Sequence, residues 1–330
     1  MRMESTTTST KERALHPSPV VSVIMPAFRA AKYIGEALDS VLAQTFPNHE
    51  IIVINDVSPD TDELEKVLEG YRGRVVYLKR EKNGGPGAAR NTGILAARGQ
   101  YIAFLDADDY WDKSFLSEQL TFMEQHTDVS LVYSDAVCFM EGSRKVIGTF
   151  MATVPSIGEP TFDSMLRREC TVGTSSVLVR RQTILDAGLF DPDIGNYSED
   201  FDLYLRIAKS GARLAYQRKL LVHHRVHTES LTSDALQLPQ GALRVLRKIT
   251  ERENLTPAQQ SIITKTSARI QADFDLQIAQ IALTRGEFAE ALRGVSSAHA
   301  FYRTWKLKII MLALRVFPNF LLRVHKLRGA

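Results

Sequence analysis

Three carboxylates at the end of an apolar run are the residues of this chain best suited to chemistry. Ile102 to Leu105 reads as a buried strand, and it runs straight into Asp106, Asp108 and Asp109, with Tyr110 and Trp111 behind them. Packed this closely, the three charges repel at a partly buried strand end unless a divalent cation or a set of donors neutralises them. In an extended backbone Asp106 and Asp108, two positions apart, project to the same side. Oxygen ligands of this kind suit Mg2+ or Mn2+ rather than a soft metal. An acidic loop capping the helix that follows would use the same residues, so the triplet alone leaves both readings open.

The elements that would position these acids alternate. Val20 to Met25 is a continuous apolar run stopped by Pro26 and reads as a strand covered on both faces. Ile34, Ala37, Leu38, Val41 and Leu42 then repeat at the spacing of one helical face. Glu50 to Ile54 reads as a second buried strand ending at Asn55 and Asp56, Leu64 to Tyr71 as a helix, and Val75 to Leu78 as a short third strand. Gly84, Gly85, Pro86 and Gly87 open a helix of small residues that carries Arg90 and Asn91 in its early turns. Four strand–helix units with short connections predict an α/β fold with a mostly parallel central sheet flanked by helices. Ligands of open sheets bind beyond the carboxyl ends of the strands, where Pro26, Asp56 and Asp106 to Asp109 all fall.

Past a helix around Phe115 to Met123, residues 130–150 read as strands about a turn at Gly142, and Ser175 to Val179 as another strand. Glu199 and Asp200 head a helix whose inner face is Leu203, Tyr204, Ile207 and Ala208. Leu214 to Gln217 and Leu220 to His224 read as two strands leading into His223, His224, Arg225, Val226 and His227. Beyond Ser233 only helices are predicted. Thr256, Pro257 and Gln259 form a capping box with proline at the first helical position, launching a helix to Arg285, and Gly286 separates it from a shorter one. The expected division is a leader without stable structure at 1–19, a catalytic body at 20–233, a helical hairpin at 234–300 and a basic amphipathic tail at 301–330.

Composition bounds the function. The hydrophobic fraction of 44% and charged fraction of 24% are those of an ordinary folded protein. Of the 41 Lys and Arg, seven lie in residues 301–330, which hold no acid; the rest of the chain has 34 bases against 38 acids. A mildly acidic body argues against gripping nucleic acid by charge, and a basic tail argues for a separate task. Two cysteines, Cys138 and Cys170, with no paired motif are compatible with a reducing cytoplasm. In the tail Trp305, Ile309, Leu312 and Val316 share one helical stripe, with Lys306, Lys308 and Arg315 off it. The run is too short to span a bilayer, which needs roughly 20 apolar residues. It either lies in an anionic membrane interface or covers the protein's own surface.

Taken together these residues resemble the inverting family-2 glycosyltransferases of the GT-A fold. Five stretches carry the resemblance: Val21 to Phe28, Ile54 to Asp60, Gly87 to Asn91, Leu105 to Asp109, and Glu199 with Asp200. The resemblance implies a sugar-nucleotide donor, UDP-sugars being common in the family, held through Pro26, Ala27, Asp56, Arg90 and Asp106. It implies Mn2+ or Mg2+ on Asp106 and Asp108, the D-x-D element, with His227 as a further ligand or phosphate contact. Asp200 would be the base that takes the proton of an acceptor hydroxyl on a glycan or lipid-linked carrier. Asp109, Glu199 and Arg225 would support these groups. Asn55 stands where the family often has a second Asp. The expected setting is polysaccharide and cell-envelope synthesis on the inner face of a membrane. A nicotinamide oxidoreductase is excluded because the first strand leads to Pro26 and Ala27 instead of G-x-G-x-x-G. A degenerate transferase that only binds sugar nucleotides or scaffolds a glycan-assembly complex is the alternative.

Overall fold

Val21–Ala27, almost wholly buried, forms the strand β1, because a run of apolar residues with helices on both sheet faces has nowhere polar to point. In chain order there follow α1 (Ile34–Leu42), β2 (His49–Asn55), α2 (Thr61–Glu69), β3 (Val76–Lys79), α3 (Gly85–Ala96), β4 (Tyr101–Phe104), β5 (Tyr110–Trp111), α4 (Phe115–Gln125), β6 (Val129–Met140) and β7 (Val146–Thr149). Next come α5 (Phe150–Thr153), α6 (Phe162–Leu166), β8 (Val177–Arg180), α7 (Arg181–Asp186), α8 (Glu199–Lys209) and β9 (Arg213–Val226). The chain continues as α9 (Gln237–Arg252), α10 (Pro257–Arg285), α11 (Phe288–Tyr302), α12 (Trp305–Val316) and α13 (Pro318–Arg328). This computed structural model describes residues 18–227 and 236–328. The leader expected at 1–19 lies outside the described residues but for its last two positions.

Two compact units interleave along the chain. The first holds the residues up to Cys138, Gly173–Leu189 and Ala212–His224; the second holds Phe139–Val172, Phe190–Gly211 and the residues from Arg225 onward. Helices after residue 236 therefore share a unit with α6 and α8.

The sheet runs in the order β3-β2-β1-β4-β8-β6-β9-β5, with β7 beside β6. Its first four strands are parallel, as the alternation of strands and helices requires: β1 pairs with β2 and β4, and β2 with β3. Beyond β4 the order turns antiparallel, β8 lying between β4 and β6, and β5 against β9. The sheet is thus mixed. Where the sequence reads two strands at 214–217 and 220–224, one strand of 14 residues forms. Arg218 and Lys219 between them are exposed and break the apolar signal, but strand pairing is made by backbone groups and does not need it.

In the second unit α9 and α10 pack on α8 and α6. The capping box at Thr256 forms as expected, the Thr256 hydroxyl accepting from the Gln259 N–H and Gln259 accepting from the Thr256 N–H. Gly286 in the left-handed region ends α10, and α11 returns along it. Small residues make this close approach possible: Ala272, Ala279, Ala282, Ala291, Val295 and Ala298 form the seam. A Cβ on Gly294 would meet the Asp275 carbonyl at 2.5 Å.

Candidate active site

The carboxyl ends of β1 and β2 are tied together by the Asp56 N–H, which donates to the Ala27 carbonyl at 3.1 Å. Pro26 is half-buried and Ala27 fully buried at this rim. The loop after β2 is cross-linked: Arg29 N–H donates to the Ser58 hydroxyl at 2.6 Å and Ala31 N–H to Asp60 at 2.9 Å. Asn55 is wholly buried and spent on that loop. Its amide donates to Thr61 and Tyr77 and its oxygen accepts from the Ser58 N–H at 2.8 Å.

Asp56 is also buried, and its carboxylate is met by donors from its own chain. The Arg80 guanidinium pairs with it, and the N–H groups of Gly84 and Gly85 donate to it at 3.1 and 2.7 Å. Gly85 begins α3, so the carboxylate sits at a helix N-terminus, where the dipole favours negative charge. Glycine suits both positions: Gly85 has φ +79, and a Cβ on Gly84 would come within 2.8 Å of the Ala88 Cβ. Neither Arg80 nor these amides stand out in the sequence. Arg80 becomes a partner only because β2 and β3 pair in register, Asn55 opposite Lys79.

The same helix delivers Arg90. A Cβ on Gly93 would lie 2.6 Å from Ile24 and 2.8 Å from Ile54, so glycine lets α3 sit directly on β1 and β2. Arg90 is buried by that packing and donates to Asp106 at 2.6 Å. The guanidinium expected beside a diphosphate thus orients the D-x-D carboxylate in this structure. The Asp106 N–H donates to the Ser175 hydroxyl at 3.2 Å, fixing the backbone from the other side.

Across the triplet itself the chain is not extended. The Asp109 N–H donates to the Asp106 carbonyl at 3.1 Å, closing a turn, so the alternation expected for a strand does not apply. Asp106 and Asp108 are nevertheless both partly exposed, while Ala107 and Asp109 are buried. Asp109 is held by His224, whose Nδ1 lies 3.0 Å from it. Burial alone would lower the His224 pKa, but Asp109 outweighs it, with Asp108 and Asp106 adding, and lifts it to about 9. The acids thus favour the charged form of His224, while burial pushes the Asp109 carboxyl up and the His224 charge works against that rise. Its neighbour His223 stacks on Tyr110 with ring centroids 4.4 Å apart. The sequence placed both histidines at a strand end. Only the pairing of Tyr110 with His223 and Trp111 with Val222 shows that this strand lies against the triplet.

Two partly exposed carboxylates of hard oxygen character fit Mg2+ or Mn2+, which commonly takes one or two protein carboxylates and completes its shell with substrate phosphates and water. Among the described residues no three His, Cys, Asp or Glu side chains gather as a preformed cage.

In the second unit Glu199 and Asp200 open α8 behind Ser198, which has φ +70. Glu199 is buried and Asp200 partly exposed, its carboxylate accepting from the Phe201 N–H at 2.7 Å. The Arg168 guanidinium lies 4.6 Å over the Phe201 ring, and its charge acts on Asp200. The preceding loop is clamped by α9. Gly241 brings that helix so close that a Cβ would meet the Tyr197 carbonyl at 2.5 Å. Arg244 donates to the Ile194 carbonyl, and Lys248 and Arg252 pair with Asp191 at 2.9 and 2.5 Å. Arg225 is buried with its guanidinium 4.9 Å over Phe139, and His227 follows the end of β9.

Comparison with known proteins agrees with this fold. The model of the family "Glycosyl transferase family 2" matches residues 22–189, just over half of the 330. WfaP of Escherichia coli, named as a UDP-Glc:alpha-D-GlcNAc-diphosphoundecaprenol beta-1,3-glucosyltransferase, is 30% identical over 232 residues, 70% of this chain and 86% of WfaP. TarS of S. aureus, solved with UDP, is similar in fold at a TM-score of 0.59 and 20% identity, over 89% of this chain and 86% of that one. The mannosyltransferase PcManGT of Pyrobaculum calidifontis, solved with GDP-Man and Mn2+, gives 0.60 at 17% identity, over 96% and 89%. The chain therefore belongs to glycosyl transferase family 2, with the GT-A fold and a C-terminal helical region.

Proposed function

We propose that the protein transfers a sugar, with inversion, from a UDP-sugar to a hydroxyl of a glycan or lipid-linked acceptor in envelope polysaccharide synthesis. The observation that carries the proposal is the D-x-D turn, where Arg90 fixes Asp106 beside a partly exposed Asp108. Pro26, Ala27 and Asp56 would form the nucleotide end of the donor site, and Arg225 and His227 are candidates for its phosphates. Asp106 and Asp108 would hold Mn2+ or Mg2+, which would supply positive charge to the diphosphate as the sugar departs. Asp200 would accept the acceptor's proton, so that the oxygen attacks from the face opposite the leaving group. The names of WfaP and its undecaprenol-linked acceptor support a lipid-linked substrate. They also favour a site of action at the inner face of a membrane, with residues 301–330 as the peripheral contact. A panel of UDP- and GDP-sugars, with and without Mn2+, tests the reading by nucleotide release and thermal stabilisation. UDP-sugars should stabilise and turn over only with the metal; a chain that binds no sugar nucleotide, or releases nothing from any, overturns it.

A further inference from the structure

The helix α12 is apolar on two opposite sides, and only one of them is used inside the protein. At about 100° per residue, Leu307, Ile310, Met311 and Leu314 fall on one face and Trp305, Ile309, Leu312 and Val316 on the other. The first face is packed: Leu307 and Leu314 are 9% and 5% exposed and join the core of α10 and α11, with Ile310 and Met311 against it. The second face stands between 53% and 68% exposed, and Phe317 and Phe320, which follow α12 in the chain, are exposed as well. A contiguous apolar face of this kind marks an interaction surface. The stripe read from the sequence is thus the outward one, and the face that covers the protein's own surface is its opposite.

Charge identifies the occupant. Lys306 lies to one side of the outward stripe and Lys308 and Arg315 to the other, all exposed, where long side chains can reach past an apolar surface to anionic headgroups. Residues 301–330 carry seven bases and no acid. A second copy seated on this face would set like charge against like, whereas an anionic bilayer matches both the apolar stripe and its basic borders. No helix among the described residues is long and apolar enough to cross a membrane, and α12 has 12 residues, so it can enter only in the plane.

We propose that α12 is an in-plane membrane anchor, inserting Trp305, Ile309, Leu312 and Val316 among the lipids of an anionic surface while Leu307 and Leu314 bolt it to the α10–α11 hairpin. This deepens, and rests on, the reading of residues 301–330 as a peripheral contact. Trp305 is a built-in probe, since the other tryptophan, Trp111, is buried. With the full-length protein, phosphatidylglycerol vesicles should shift Trp305 emission to shorter wavelength, and brominated acyl chains should quench it; phosphatidylcholine vesicles should do neither. Ile309→Asp with Leu312→Asp should weaken vesicle binding more than about tenfold. Replacing Lys306, Lys308 and Arg315 together by Gln should do the same on phosphatidylglycerol. These changes lie on the exposed face, so all variants should release nucleotide from a sugar nucleotide in detergent-free buffer at the parent rate. Equal binding to both lipids, an unshifted Trp305, or stripe variants that halve the particle mass without altering vesicle binding would overturn the anchor. If no protein releases nucleotide while vesicle binding follows the pattern above, the transferase reading fails and the anchor stands.

Discussion

The two units secure their candidate residues by different means. In the first, each acid is fixed by groups within the α/β framework: Asp56 by Arg80 and the start of α3, Asp106 by Arg90, Asp109 by His224. In the second, Asp200 begins a helix reached through a loop with positive φ at Gly195 and Ser198, and that loop is clamped by α9. The α9 helix lies past the end of the family match at residue 189. On the proposed reading, the donor side would lie within the stretch that the family model matches and the base side beyond it. If Asp56 and Asp106 serve the donor and Asp200 is the base, as proposed, damage in the first unit should appear as lost donor binding, and damage in the second as lost turnover with binding intact.

The sharpest test sets Asp200→Asn against Asp106→Asn. Removing a general base costs on the order of a thousandfold in rate. Asp200→Asn should lose about that much while the donor still raises the melting temperature. Asp106→Asn should lose turnover and metal-dependent stabilisation together. An Asp200→Asn enzyme that turns over normally breaks the comparison at its base side.

His224→Ala probes the framework without touching the proposed base. It strands a buried Asp109 without its counter-charge, which costs about 3 kcal/mol in such pairs. Chemical denaturation should show that loss, and adding Asp109→Asn should recover part of it, because a neutral amide no longer needs the imidazolium. Full additivity of the two changes would mean that the pair contributes nothing.

Gly241→Ala acts on the other side. Its Cβ would press on the Tyr197 carbonyl and displace the loop before Asp200, at a cost of up to about 3 kcal/mol. The rate should fall while the donor affinity holds, and a matching rise in KM for the donor would refute the division between the units.

How much of this could be read from the sequence follows from the range of the forces involved. β1, β2, α1 and the capped start of α10 are set by local periodicity and capping chemistry, and they form where the pattern puts them. The D-x-D acids and Asp56 were legible because their residue types announce charge at strand ends. Their partners were not. Arg80 reaches Asp56 through strand register, and His224 reaches Asp109 from 115 positions away. The turn at Asp106 to Asp109 replaced an expected extended strand because one backbone hydrogen bond decides it. In α12 a helical period is satisfied by either apolar face, so the sequence could not say which one is buried.

The mildest test concerns the clamp itself and uses pH. Burial works against an ionised Asp191, yet Lys248, the Asp193 N–H and Arg252 prevail and hold its carboxyl at about 2, below its ordinary 3.8. The fold therefore favours the charged form: the stabilisation is complete above the ordinary value and is lost as pH falls from about 4 through about 2. The difference amounts to about 2 kcal/mol. Asp191→Asn should give up that amount at neutral pH and show a flatter acid limb than the parent. If the loop before α8 depends on this clamp, the variant's turnover at pH 7 should fall modestly while donor-induced stabilisation stays the same. A variant as stable as the parent at pH 7 would show that α9 holds the loop by packing at Gly241 alone.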